Sequence, residues 1–196
     1  MSGRMTIFLY QWHQRGRTEV VRNIIALSGP RACGKSTIAR HLEVQHGYTR
    51  IAFADALRSI ASICNSELAS DRLYLAMLGE KIREFLPNFF LQVVRNRLDK
   101  IEGPVVIEDI RFPMELDFSN DIGATTIRLE IPVETQIGNL ATRGADREEA
   151  ELLINCKDEF ALASTKGWSH VIPAVGDFRT LASEIHHISL KGDFHE

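Results

Sequence analysis

Cysteine is scarce in this chain, with three in 196 residues, and Cys33, Cys64 and Cys156 lie far apart. An odd, dispersed set gives neither a disulfide framework nor the paired spacing of a zinc site. Neither sign of charge dominates: 23 Lys and Arg stand against 26 Asp and Glu, a net −3. That balance leaves no electrostatic footprint for a nucleic-acid polymer. No apolar run approaches the roughly 18 residues of a membrane span, and no secretory leader is evident. Repeats and low-complexity tracts are missing, and the seven histidines show no ligand spacing. Nucleophilic hydrolysis has no supporting Ser/His/Asp or Cys/His arrangement. What remains is an ordinary globular composition, 44% hydrophobic and 25% charged, expected in a reducing cytoplasm.

The informative stretch runs from Asn23 to His46. Ile24 to Leu27 is a short apolar run of the kind a buried parallel strand shows. It leads into Gly29-Pro30-Arg31-Ala32-Cys33-Gly34-Lys35-Ser36-Thr37, which has the phosphate-loop spacing G-x-x-x-x-G-K-[ST]. Glycines let the backbone curl so that N–H groups converge on phosphate oxygens, and the following helix adds the positive end of its dipole. Ile38, Ala39 and Leu42 mark the buried face of that helix. Gly29, Gly34, Lys35, Ser36 and Thr37, with Arg31 in the loop itself, are therefore the expected nucleotide-holding residues. Lys35 would place its charge on the β- and γ-phosphates, and the Ser36 hydroxyl would ligate Mg²⁺. Cys33, inside the loop, reads as a small filler.

Beyond this stretch, strands alternate with helical patterns. Strands are expected at about residues 23, 48, 105, 125 and 168, the second from Tyr48 to Phe53 and the last from Trp168 to Ile172. Asp55 looks like the N-cap of a helix over Ala56–Cys64, and Asn65–Ser70 like a polar loop. A helix over Asp71–Phe85 is broken by Pro87, and Pro113 opens another that Gly123 closes. Asp177 would cap the final helix. Such alternation implies right-handed crossovers. The predicted fold is a three-layer α/β architecture on a parallel five-stranded sheet, of the phosphate-loop NTPase type. One domain is expected over residues 23–190, with a candidate lid in the charged segment 132–151. Residues 1–22 form an unassigned extension, in which Thr6–Trp12 is apolar enough for a strand, and 191–196 a tail.

Ligands of such sheets bind beyond the carboxyl ends of the strands. That rule gathers the phosphate loop, Asp55–Arg58 and Asp109–Arg111 on one rim. Asp109 ends an apolar strand and is the candidate acid for Mg²⁺, with Glu108 as competitor; alternation sends the two to opposite faces. Arg111 suits a phosphate bidentately, or forms an ion pair with Glu108 or Glu115. Arg83 falls on the polar face of its helix, where pairing with a glutamate is the default. Arg143 and Arg147 could arrive on a closing lid or belong to a solvated charged helix. His186 and His187 read as surface.

Several segments together resemble the phage-type deoxynucleoside monophosphate kinases. Phe53-Ala54-Asp55-Ala56-Leu57-Arg58 is similar to their F-A-D-P-L-K element, and Leu78-Gly79-Glu80-Lys81-Ile82-Arg83 to L-G-x-x-x-R. Ile107 to Glu115 resembles D-x-R-[FQ]-x-x-E, and Ile122 to Arg128 the strand that follows it. Ala56 stands where proline is usual, and Pro173-Ala174 replaces an asparagine turn. The resemblance implies a nucleoside-monophosphate-kinase-like enzyme moving the γ-phosphoryl group of ATP, with Mg²⁺, to a deoxynucleoside monophosphate in the cytoplasm (the host's, if phage-encoded). By position it makes Arg31, Arg58, Arg83, Arg111 and Arg143 candidate phosphate contacts, with Asp55 beside the acceptor. Lys35, Asp109, Arg111 and Arg143 become the expected catalytic set. Animal-type phosphomevalonate kinases share much of the pattern, and a nucleotide-binding switch without an acceptor is the alternative of another class.

Overall fold

A strand with helices on both faces has no side left for water, and Ile24–Ser28 (β1) is buried at every residue. The computed structural model describes residues 22–155, 162 and 164–191. In it β1 is the central strand of a five-stranded sheet. Its partners are Thr49–Ile51 (β2), Val105–Ile110 (β3), Thr125–Glu130 (β4) and His170–Pro173 (β5), in the order β2-β3-β1-β4-β5. Every pairing is parallel.

The helices follow from the sequence in turn. Lys35–His46 (α1) ends where Gly47 adopts a φ of 70° and closes the last turn. Asp55–Cys64 (α2), Arg72–Phe85 (α3) and Phe89–Leu98 (α4) lie between β2 and β3, and Pro113–Asp121 (α5) between β3 and β4. Val133–Ala141 (α6) and Arg147–Ile154 (α7) follow β4, and Phe178–Lys191 (α8) follows β5. Alternation along β1 sends Ile25 and Leu27 to the α1/α8 side, where they meet Ile38, Leu42 and Ile185. Ile24 and Ala26 face the other layer, with Leu57, Phe90, Val94 and Leu116. None of the described helices is long and apolar enough to cross a membrane.

The five expected strands are present, with local differences. β2 is only three residues long, because beyond it the Ala52 N–H turns to Asp55 and the Phe53 and Ala54 N–H groups to the Asp109 side chain on β3. β5 begins at His170, two residues later than expected. Asp55 is the first residue of α2 and caps nothing; its carboxylate instead accepts the Ala52 N–H and pairs with Arg58 and Arg97. The expected loop at 65–70 contains a 3₁₀ turn, Ser66–Ala69, capped by the Asn65 side chain. His186 is half-buried rather than surface: it stacks on His46 at 3.9 Å and meets the Tyr48 hydroxyl at 3.1 Å. Burial holds both imidazoles below their usual range. Thr6–Trp12 and Cys156 lie outside the described residues.

Asp177 caps α8, accepting the Thr180 N–H at 3.2 Å. Asp177→Ala should therefore cost about 1 kcal/mol, read as a lower urea midpoint at unchanged slope.

Candidate active site

The loop between β1 and α1 is built from unusual backbone. Gly29, Ala32 and Gly34 have φ of 145°, 61° and 97°, left-handed conformations of the kind that build anion-binding backbone nests. Gly29 has a further reason to lack a side chain. A Cβ there would lie 2.6 Å from the Leu129 carbonyl oxygen and 2.9 Å from Cys33 Sγ. Cys33 is buried and packs with the α1-side core, as a filler would. Lys35 folds back across the loop, donating to the Gly29 and Pro30 carbonyls at 2.7 and 2.9 Å. Ser36 and Thr37 are exposed on the first turn of α1.

The loop is also held from α6. Asn139 Nδ2 donates to the Ala32 carbonyl at 2.9 Å, and the Ala32 methyl is buried with Leu140 and Ala150. The segment expected as a charged lid is thus a pair of helices docked on the phosphate loop. Arg143 is exposed in the turn between them. Arg147 pairs with Glu151 along α7 at 2.9 Å, as a solvated helix would. Nothing in the sequence pattern singled out Asn139.

A cavity of about 280 Å³ opens beside the loop. Its lining brings together Gly29, Arg31 and Lys35, the β3 end at Arg111, and the β4 end at Arg128 and Glu130. Four cations thus face one carboxylate. Arg128 was missed from the sequence, although the signal was there: Arg128 alternates with the buried Ile127 and Leu129 at the carboxyl end of a strand. Asp55, Arg58, Arg83, Asp109 and Arg143 are not part of this lining.

The two acids of β3 take opposite faces. Glu108 accepts from Arg50 at 2.9 Å. Asp109 accepts the Phe53 N–H at 2.8 Å and the Ala54 N–H at 3.2 Å, one on each oxygen. Arg111 has neither of the ion pairs considered for it. Glu115 takes its backbone N–H at 2.8 Å instead, and pairs with Arg83 at 3.6 Å. Arg83 is accordingly half-buried and bonded across elements, not on an exposed polar face.

For a divalent cation, the described residues hold no cluster of three or more His, Cys, Asp or Glu. Mg²⁺ needs less, since phosphate oxygens and water complete its shell. The exposed Ser36 hydroxyl fits that use. Asp109, 8% exposed with both oxygens already accepting amides, fits a contact through water rather than a direct bond.

No family model matches the chain. Over 102 residues it is 33% identical to a cytidylate kinase of Caldicellulosiruptor saccharolyticus, covering 50% of this chain and 42% of that protein. The chain thus spans less than half the length of this curated relative. Among solved structures, TT1252 from Thermus thermophilus aligns over 88% of this chain and 98% of its own, with a TM-score of 0.59 and 18% identity. Shikimate kinase from Bacteroides thetaiotaomicron aligns over 87% and 98%, with a TM-score of 0.52 and 16% identity. The fold is the α/β fold of phosphate-loop kinases.

Burial pushes the Asp109 carboxyl up to about 6, against the opposing pull of the Phe53 amide and Arg111. It pushes Glu115 up to about 7, against the Arg111 amide and Arg83. A carboxyl raised in this way favours the folded state while protonated. The folded chain binds more protons than the unfolded one between about pH 4 and pH 7, so stability is full below that window and falls as pH rises through it. The two groups together should contribute a loss on the order of a few kcal/mol. Urea unfolding at pH 5 and pH 7.5 checks this: Asp109→Asn should flatten the fall, whatever constant offset the amide introduces.

Proposed function

We propose that the chain transfers the γ-phosphoryl group of ATP to a deoxynucleoside monophosphate, giving the diphosphate and ADP. The supporting observation is the cavity in which Arg31, Lys35, Arg111 and Arg128 converge from three elements. A phosphate loop by itself accounts for one polyanion; cations from the β3 and β4 ends provide for a second beside it. The stretch of likeness to a cytidylate kinase supports an acceptor of the nucleoside monophosphate class.

In this reading the loop amides and Lys35 hold the β- and γ-phosphates, Lys35 exchanging the Gly29 and Pro30 carbonyls for phosphate oxygens. Ser36 would hold Mg²⁺, with Asp109 as the acid beside it, and the cation would supply neutralisation of phosphate charge. Arg111 and Arg128 orient the acceptor phosphate, and Arg31 lies between the donor and acceptor sides. An acceptor phosphate oxygen, already ionised, attacks the γ-phosphorus in line while the bond to the β,γ-bridging oxygen breaks. No general base is required, so positioning and charge stabilisation carry the catalysis. Residues 23–190 would act as one unit, with the α6–α7 pair as the lid that brings Arg143 over the transferring group. Asp55 and Arg58 would border the acceptor from α2.

ADP release measured across the four deoxynucleoside monophosphates, their ribonucleotide counterparts and phosphomevalonate tests the assignment. Stimulation by one or more deoxynucleotides is expected; slow hydrolysis indifferent to every acceptor would overturn it. Lys35→Ala should lower turnover by about 10²-fold or more. Arg111→Ala should raise the acceptor KM while ATP affinity survives, and the opposite split would move Arg111 to the donor side.

A further inference from the structure

We infer that Glu115 is a positioning residue for the acceptor phosphate: its buried carboxylate fixes the turn that carries Arg111 into the cavity and ties that turn to Arg83. The inference rests on the phosphotransfer reading above.

The geometry is that of one side chain serving three groups. Glu115 Oε2 accepts the backbone N–H of Arg111 at 2.8 Å and of Phe112 at 3.2 Å. These are the last amides before Pro113, which has no N–H, and they would otherwise be orphaned at the start of α5. Glu115 Oε1 lies 3.6 Å from Arg83 Nη2. The residue is 2% exposed, so water does not substitute for any of these partners. Its charged neighbours are Arg83 from α3 and Asp109 from β3.

Arg83 touches the same turn a second time. Its guanidinium sits 4.0 Å from the centre of the Phe112 ring and 4.7 Å from that of Phe90, positions where a cation gains from the ring face. Gly79, one helical turn earlier, leaves the space: a Cβ there would come within 3.1 Å of Arg83 Nη1 and 3.2 Å of Leu57 Cδ1. Elements α3, α4, α5 and the β3–α5 turn therefore meet around the Arg83–Glu115 pair. Of the side chains gathered there, Arg111 is the one that lines the cavity.

A guanidinium recognises a phosphate through two parallel N–H bonds, and that fork tolerates little misalignment. Glu115→Gln keeps an acceptor oxygen for the two amides but presents an NH₂ to Arg83. Two donors then face each other, Arg83 withdraws from Phe112, and the turn loses the clamp that aims Arg111. Arg83, which the family resemblance made a candidate phosphate contact, acts through Glu115 in this arrangement. Substitutions at the two positions report one interaction and are not additive.

Three measurements on the full chain test this in Glu115→Gln, Arg83→Gln and the double variant. They are the acceptor KM at saturating ATP, the ATP KM, and the affinity for inorganic phosphate of the ADP-saturated protein by calorimetry. Glu115→Gln should raise the acceptor KM about tenfold and weaken phosphate equally, with the ATP KM within about twofold of wild type. The double variant should be no worse than Glu115→Gln alone. An acceptor KM and phosphate affinity within about twofold of wild type overturn the inference, as does a double variant equal to the product of the singles, which makes Arg83 a direct contact. Should Glu115→Gln not fold, Arg83→Gln must show the same split in smaller measure, and its absence also overturns the inference. If the wild type phosphorylates no monophosphate, the phosphotransfer reading fails, and the phosphate titration alone decides the role of Glu115.

Discussion

The approach of the phosphate loop to the neighbouring strand governs the site. Gly29 leaves β1 with its α-carbon against the Leu129 carbonyl, at a separation where no Cβ can stand. That contact brings the loop down onto the β4 side of the sheet while Ser28 still bonds the Ile110 carbonyl on the β3 side at 2.9 Å. Being anchored to both neighbours, the loop opens over the ends of three strands at once. The cations that line the cavity are spread over those ends.

The carboxylates around the rim work mainly as backbone acceptors. Asp109 closes the turn after β2, and Glu115 closes the turn before α5. Each replaces water at amides that the sheet and helix leave unpaired. Their burial raises the energy of the charged form, yet each is matched by donors in place. The polar groups of the rim are committed to one another, and Arg111 is displayed on that frame.

Much of this was legible in the sequence. The apolar strand, the glycine spacing and Lys35-Ser36 located the loop, because each of those residue types is required by backbone geometry or by phosphate charge. The strand-end rule placed Asp109 and Arg111 on the rim. What could not be read was the partner of each polar side chain. Alternation separated Glu108 from Asp109, but only the folded chain reveals that Arg50 claims the first and the Phe53 and Ala54 amides the second. Arg83 read as a polar-face residue because its partners, Glu115 and Phe112, are about 30 residues away in sequence. Asn139 and Arg128 escaped for different reasons. The first caps nothing local, and the second lay on a strand whose carboxyl end was not added to the rim.

Ala32 sits where opposing demands meet. Its left-handed backbone favours glycine, by about 1 kcal/mol, yet its methyl is the point on which Leu140 and Ala150 close. Glycine at this position would relax the loop and at the same time unseat the α6–α7 pair. A larger residue would keep the apolar contact but add to the backbone cost. The β1–α1 loop and the helices above it are therefore constrained to change together, through a position that neither could alter alone.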